Sequence, residues 1–539
     1  MVACLLVSRK VKKPLGRPGP RRFFPALAGV GVGLLALSLY LSTLAPGVLY
    51  YARPGMIDAA MLQVHAATLG ITHPTGYPGW VMLTHLFTYL PVGDVAYRVN
   101  LASATYAVLA TTLVYTAGFL LTRRVAAAAV GALAFGLGAT FWSQAVIAEV
   151  YTLNTLFVAS VLVILLLWRR ARRDSYLLAG CLFAGLAMTN HMTSGLLVPA
   201  GALFVFLVDR SRLADWRLAL KGAALFVAGL LPYLYLPIRA SMSPGSMEFD
   251  PSSPGRFWAL VSGSELNTQL IGLRPADALG KLGDYAGHLT DNLHPALLAL
   301  AGLGLVALLR HERAVLALTA SLFAGWLAHA LAYNILDVEI YFIPTYLILS
   351  LWAAAGAGLV LSAIRSLAEG YSRALTGTAY AAVAAALVML PLVGVGETYA
   401  EVDRSDTDRG RETIEAVAEN VERGATVIHH RSALWYMVLV EERRQDLTLV
   451  DPYYPSTGPQ HYDVIWPDDL TPEEAQRRYA TSNDDYGVEA ALRAAERGPV
   501  YILDSGLVSG GMFMAAGFEV ERVEGGILYE LVPPEGRTG

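Results

Sequence analysis

The chain has 539 residues, of which 55% are hydrophobic and 16% charged, and a formal net charge of −4. A soluble domain carries about 25% charged residues; together with a mean hydropathy of +0.46, this excludes an ordinary soluble fold and makes lipid the solvent for most of the chain. The acidic balance excludes a nucleic-acid partner, which needs a concentrated basic face. With only two cysteines, Cys4 and Cys181, neither a disulfide framework nor a thiolate metal site is expected.

A membrane-crossing helix needs about 20 apolar residues. The basic stretch 1–22, carrying Arg9, Lys10, Lys12, Lys13, Arg17, Arg21 and Arg22, reads as a cytoplasmic tail. The apolar run 23–44 that follows is too long for the core of a cleaved signal peptide and reads as a retained anchor. Further runs start near Val99, Val125, Val150, Tyr176, Gly195, Leu218, Leu293, Ala314, Tyr341 and Thr376, so about eleven spans are expected. Arginines follow every even-numbered span: Arg123 and Arg124, Arg169 to Arg173, Arg210 to Arg217, Arg310 and Arg313, and Arg365. Loops 141–149, 190–194 and 334–340 contain no Lys or Arg. Short cytoplasmic loops collect basic residues, so the N-terminus is expected inside and the C-terminus outside, in a plasma (inner) membrane.

Two long loops then fall on the external side, 45–98 and 239–292, both with apolar stretches interrupted by Pro and Gly. Past residue 396 the chain becomes charged and mixed. Amphipathic helices near 413–421, 434–442 and 489–497 alternate with strands near 425–429, 447–450, 499–503 and 526–531, which suggests a small α/β domain. The expected organisation is a tail at 1–22, a polytopic α-helical membrane domain at 23–396 and an external α/β domain at 397–539.

The first long loop holds Asp58, the run Ile71-Thr72-His73-Pro74-Thr75-Gly76-Tyr77-Pro78, and then Arg98 and Asn100. Two prolines and a glycine specify a stiff turn at 74–78. These residues, with Phe141-Trp142-Ser143-Gln144, Glu149-x-Tyr151-x-x-Asn154 and Asn190-His191, resemble the DUF2723 family, which includes the transmembrane protein O-mannosyltransferases and falls in the GT-C glycosyltransferase class. The resemblance continues through 231–237 and Tyr341-Phe342-x-Pro344. It implies a GT-C-like membrane fold and inverting transfer of a mannose-like sugar from a polyprenyl-phosphate donor to a protein or cell-envelope glycan. It also implies an acidic base in the first external loop, which Asp58 matches. The family pattern reads Asp-Ser-Gly-Glu where this chain has Asp58-Ala59-Ala60-Met61, so a second carboxylate is missing; Glu149 is the available substitute.

The residue chemistry agrees with that reading. Inverting transfer needs a carboxylate to take the acceptor proton, and a leaving phosphate needs a permanent cation, for which Arg98 and Arg239 are the candidates. His73, Tyr77, Trp142, Gln144, Tyr151, Asn154 and His191 complete the substrate-binding set. Each has a plainer alternative. A loop carboxylate is by default solvated or a helix cap, and a histidine before proline holds its turn. Arginine at a span end snorkels to headgroups, and aromatics at span ends join the interfacial belt. Tyr453, Tyr454 and Tyr462 offer a further sugar platform or local packing. His191 and the pair His429-His430 lack companions at coordination spacing, and the pair reads as surface decoration; no cofactor is expected, the lipid-linked sugar being a substrate and a divalent metal having no support. A transporter or flippase would show polar-centred or internally repeated spans, and a non-catalytic scaffold is the reading that Met61 favours.

Overall fold

Long apolar helices dominate the computed structural model of the chain, which describes residues 23–50, 58–264, 272, 277–335, 337–368, 371–451, 483–504, 508–523 and 526–534. The basic tail at 1–22 and the tyrosines at 453, 454 and 462 lie outside the described residues. Among the described residues, eight helices are long and apolar enough to cross a membrane: Phe24–Ser42, Val95–Thr122, Tyr151–Ala171, Met192–Asp209, Trp216–Ala240, Arg313–Ala332, Val338–Leu367 and Arg373–Val402. Two bent pairs, Val125–Gly136 with Ala139–Ala145 and Ala278–Asn292 with Pro295–His311, bring the number to ten if each is one span.

The expected count of eleven is therefore too high among the described residues. The run at Tyr176 forms the apolar helix Asp174–Met188, whose 15 residues fall short of the length that crosses hydrocarbon alone. Both bends have a local cause, and they meet at Asn292. The Asn292 side chain accepts the Thr140 backbone N–H at 2.8 Å, where the first pair turns by 68°. Just beyond it, Pro295 opens the next helix with His294 as its cap, and the chain turns by 107°.

Pro295–His311 packs against Ile343–Leu367 with glycines facing across the contact. A Cβ on Gly304 would strike the Trp352 carbonyl, and one on Gly356 the Leu300 carbonyl. Lipid tails are as apolar as leucine, so helices in a bilayer associate by close packing of small residues rather than by hydrophobic burial.

The C-terminal region forms a five-stranded sheet from β1 (Thr426–Ile428), β2 (Thr448–Val450), β3 (Val500–Leu503), β4 (Glu519–Arg522) and β5 (Leu528–Val532), in the order β2-β1-β3-β5-β4. β1 runs parallel to β2 and β3, whereas β5 runs antiparallel to β3 and β4. The helices Arg409–Asn420, Leu434–Leu439 and Asn483–Ala495 alternate with these strands, as the sequence pattern predicts. Strand β4 is an addition to that pattern; its exposed, charged residues Glu519, Glu521 and Arg522 suit a sheet edge. The sheet region sits on the first long loop. Met61, Val64 and Ala96 share one buried cluster with Trp435, Met437 and Val438, and the Tyr436 hydroxyl accepts the Ala96 N–H at 3.1 Å.

Candidate active site

A cavity of about 780 Å³ opens between these elements, lined by Asp58, His73, Tyr77, Tyr151, His191, Lys281, Tyr333, Asn334, Tyr341 and Arg431 among others. The residues that line it come from both long loops and from helix ends.

Asp58 stands immediately before the helix Ala59–Thr68, with its side chain 32% exposed. His73 is presented by the stiff turn that the prolines specify. The Gly76 N–H donates to the His73 carbonyl at 2.8 Å, Gly76 takes a left-handed φ of +84°, and Pro78 opens the next helix. The imidazole Nε2 then lies 3.4 Å from Asp58 Oδ2.

A second carboxylate arrives from the other long loop. Ile71 and Met247 form a parallel β-bridge, closed by Ile71 N–H to Ser246 O at 3.0 Å and Glu248 N–H to Ile71 O at 2.8 Å. This bridge sets Glu248 Oε1 2.7 Å from His65 Nε2 and 3.9 Å from His73 Nδ1. Burial alone raises a carboxyl pKa, but hydrogen bonds from His65 and His73 outweigh it and bring Glu248 down to about 2. Glu248, with its side chain only 2% exposed, is therefore a fixed anion.

Arg431 links the two carboxylates. It follows β1 in a left-handed turn, φ +41°, held by its backbone N–H on Asp451 Oδ2 at 3.0 Å while His430 pairs with the same carboxylate at 3.0 Å. Its guanidinium, 4% exposed, makes ion pairs with Asp58 through Nη1 and with Glu248 through Nη2. The histidine pair beside it is buried and not surface decoration. His429 bonds Ser432 Oγ at 2.9 Å, and burial pushes its imidazole down to about 4. Among the described residues no three His, Cys, Asp or Glu side chains converge as metal ligands.

From Asp58 an aromatic wall runs along the cavity. Ring centroids are 5.3 Å apart from His73 to Tyr77, 6.4 Å from Tyr77 to His191, 5.8 Å from His191 to Tyr341 and 4.9 Å from Tyr341 to Tyr333. Tyr151 joins the wall at 5.9 Å from both His191 and Tyr341. Burial, with His329 nearby, lowers His191 to about 4, so it is a neutral ring at pH 7.

The remaining sequence candidates lie elsewhere. Arg98 spends its guanidinium on the carbonyls of Thr88, Val92 and Gly93 at 2.7–2.9 Å. Arg239 holds the carbonyls of Thr68 and Leu69 at the end of the helix that starts at Asp58. Neither lines the cavity; a cation beside a helix C-terminus satisfies carbonyls that have no partner within the helix. Trp142 is fully buried with its indole N–H on Thr43 Oγ1 at 2.9 Å, too deep for sugar stacking or for a belt. Gln144 is buried beside Ser143, and Asn154 accepts the Ser194 hydroxyl at 2.6 Å. Glu149 is buried just outside the cavity, where burial and then the neighbouring Asp337 raise it to about 8. Met61 is buried against the sheet region, in one cluster with Trp435, Met437 and Val438.

Sequence reasoning missed Glu248, Lys281, Tyr333 and Arg431. Arg431 had a signal in the adjoining His429-His430, since two imidazoles in an otherwise apolar strand end need a buried partner. Glu248 and Lys281 had none, because only the tertiary fold brings the second long loop onto the first.

Comparison with solved structures decides the architecture. The chain superposes on ArnT from Cupriavidus metallidurans bound to undecaprenyl phosphate with a TM-score of 0.58, covering 96% of this chain and 99% of that one at 14% identity. It also superposes on the Archaeoglobus fulgidus oligosaccharyltransferase tethered with an acceptor peptide, at a TM-score of 0.54, 12% identity and coverage of 90% and 69%. The fold is that of the GT-C glycosyltransferases. Within this GT-C fold, residues 58–214 match the family model described as the protein O-mannosyl-transferase TMEM260 N-terminal domain. Over 192 residues the chain is 31% identical to the protein O-mannosyl-transferase TMEM260 of Mus musculus, covering 34% of this chain and 27% of that protein. A 243-residue match to the Dictyostelium discoideum protein of the same name is 25% identical and covers 41% of this chain and 29% of that protein. The chain thus matches less than a third of either relative's own length, and the residues matched by the family model include Asp58, His73, Tyr77, Tyr151 and His191.

Proposed function

We propose that the protein is a membrane glycosyltransferase of the DUF2723 type that moves a mannose-like sugar from a polyprenyl-phosphate carrier to a hydroxyl of a protein or cell-envelope glycan, with inversion, on the external face. The observation that carries this reading is the placement of Asp58. Its carboxylate opens into the cavity at the head of an aromatic wall, while the second carboxylate, Glu248, is sealed beneath it. In the reaction Asp58 takes the proton of the acceptor hydroxyl as that oxygen bonds the anomeric carbon. The carbon–oxygen bond to phosphate breaks, and the polyprenyl phosphate leaves with the electron pair.

Arg431 and Glu248 are positioning residues. The guanidinium bridges the two carboxylates, Nη1 on Asp58 and Nη2 on Glu248, and so orients Asp58 toward the cavity. Neutral rings suit the pyranose faces, so Tyr77, Tyr151, His191 and Tyr341 hold the sugar through apolar contact and hydroxyl hydrogen bonds.

The test is transfer of label from radiolabelled polyprenyl-phosphate sugars, mannose first, to envelope material in membranes containing the wild type or Asp58→Asn. Transfer by the wild type and its loss in the variant, at equal expression, supports the assignment. Retained transfer in the variant removes Asp58 from the mechanism.

A further inference from the structure

We infer that Lys281 is the ligand of the departing phosphate, and that the phosphate it recognises is the headgroup of a lipid. This rests on the transferase reading above and assigns the group that it leaves open. An inverting displacement places the attacking hydroxyl and the leaving oxygen on opposite sides of the anomeric carbon, so base and phosphate ligand must stand at opposite ends of the sugar site. Arg431, bound to the base itself, stands at the base's end.

Ring contacts lead from His73, beside Asp58, through Tyr77, His191 and Tyr341 to Tyr333. There the Lys281 ammonium meets the Leu331 carbonyl at 2.8 Å, Asn334 Oδ1 at 2.5 Å and the Tyr333 carbonyl at 3.5 Å. The third of these acceptors is the weak one, and it is the one that a phosphate oxygen replaces. Two acidic residues also line the cavity, Asp284 and Asp337; Asp284 is exposed and screened by solvent, and burial raises the Asp337 carboxyl above its ordinary value, which favours its neutral form.

The helix that carries Lys281 points to a lipid source. Ala278–Asn292 lies at 107° to the span that follows it, and it is two-sided. Lys281, Asp284 and His288 line the cavity, while Leu279 and Leu282 are exposed. A carrier lying along that apolar edge places its phosphate at Lys281 without leaving the bilayer.

The experiment is binding of a short-chain polyprenyl phosphate, of the corresponding polyprenol and of inorganic phosphate to the purified full-length protein, comparing wild type, Lys281→Met, Lys281→Arg and Arg431→Met, with the thermal midpoint of each variant recorded. Expected is a tenfold or greater loss of polyprenyl-phosphate affinity in Lys281→Met, partial recovery in Lys281→Arg, and unchanged polyprenol binding. Equal affinity in wild type and Lys281→Met overturns the assignment, as does a loss confined to Arg431→Met. Binding of inorganic phosphate as tight as that of the lipid overturns the lipid source. The assay needs no sugar transfer: a wild type that binds polyprenyl phosphate through Lys281 yet transfers no sugar keeps the lipid-phosphate site and overturns its role in a displacement, together with the transferase reading.

Discussion

Arg431, on the turn after the first strand of the sheet domain, forms an ion pair with Asp58 at the start of the first loop helix, 373 positions earlier in the chain. A carboxylate of the helical region is thus held by a side chain from the sheet region.

Removing that link should therefore act on turnover. Arg431→Met is expected to lower kcat by at least tenfold with a smaller change in KM for the donor, and Arg431→Lys, which keeps the charge but loses the fork, to recover part of it. Glu248→Gln leaves the buried guanidinium with Asp58 as its remaining partner among these carboxylates. Loss of one partner of a buried pair costs about 3–5 kcal/mol, so its thermal midpoint should fall below that of the wild type. Steady-state kinetics and thermal unfolding of the same preparations check both.

Glu149 predicts a pH dependence of stability. Its folded pKa of about 8 lies above the unfolded value near 4.3, so the unfolded chain ionises first. The sign follows: no penalty exists below about pH 4, stability falls as pH rises from there, and the loss is complete above about 8. The slope is at most about 1.4 kcal/mol per pH unit. Glu149→Gln should flatten that part of the curve and raise the midpoint at pH 8 while leaving it unchanged at pH 4, measured by thermal unfolding at both values.

The glycine pair tests the helix packing. Gly304→Ala or Gly356→Ala drives a methyl into the carbonyl of the facing helix, and overpacking of this kind costs about 1–3 kcal/mol. The midpoint should drop in either variant. Gly302→Ala, on the same helix with open space around it, should be neutral or slightly stabilising.

Arg98 and Arg239 are expected to matter for stability and not for the donor. Arg98→Met and Arg239→Met remove side chains that satisfy loop and helix-end carbonyls, so each should lower the midpoint by an amount corresponding to about 1–3 kcal/mol. Polyprenyl-phosphate affinity should stay within a factor of two of wild type. A large loss of affinity in either would return it to the substrate site.

Much of this protein was written in one dimension. A bilayer demands about 20 apolar residues per span, so run lengths reveal most of the helices. The His73-to-Pro78 turn is equally local, because Pro and Gly fix backbone angles from their own chemistry. What the sequence left undecided were the relationships across distance. A lone carboxylate at 248 or a lysine at 281 carries no local mark of its place; the Ile71–Met247 bridge sets Glu248 against Arg431, and the fold of the second long loop puts Lys281 on the cavity. Arg98 and Arg239 stood at suitable positions, but the structure spends them on carbonyls. Hydropathy and turn chemistry act on neighbours in the chain and are legible there. The pairing of buried charges depends on which loops meet, and only the tertiary structure decided that.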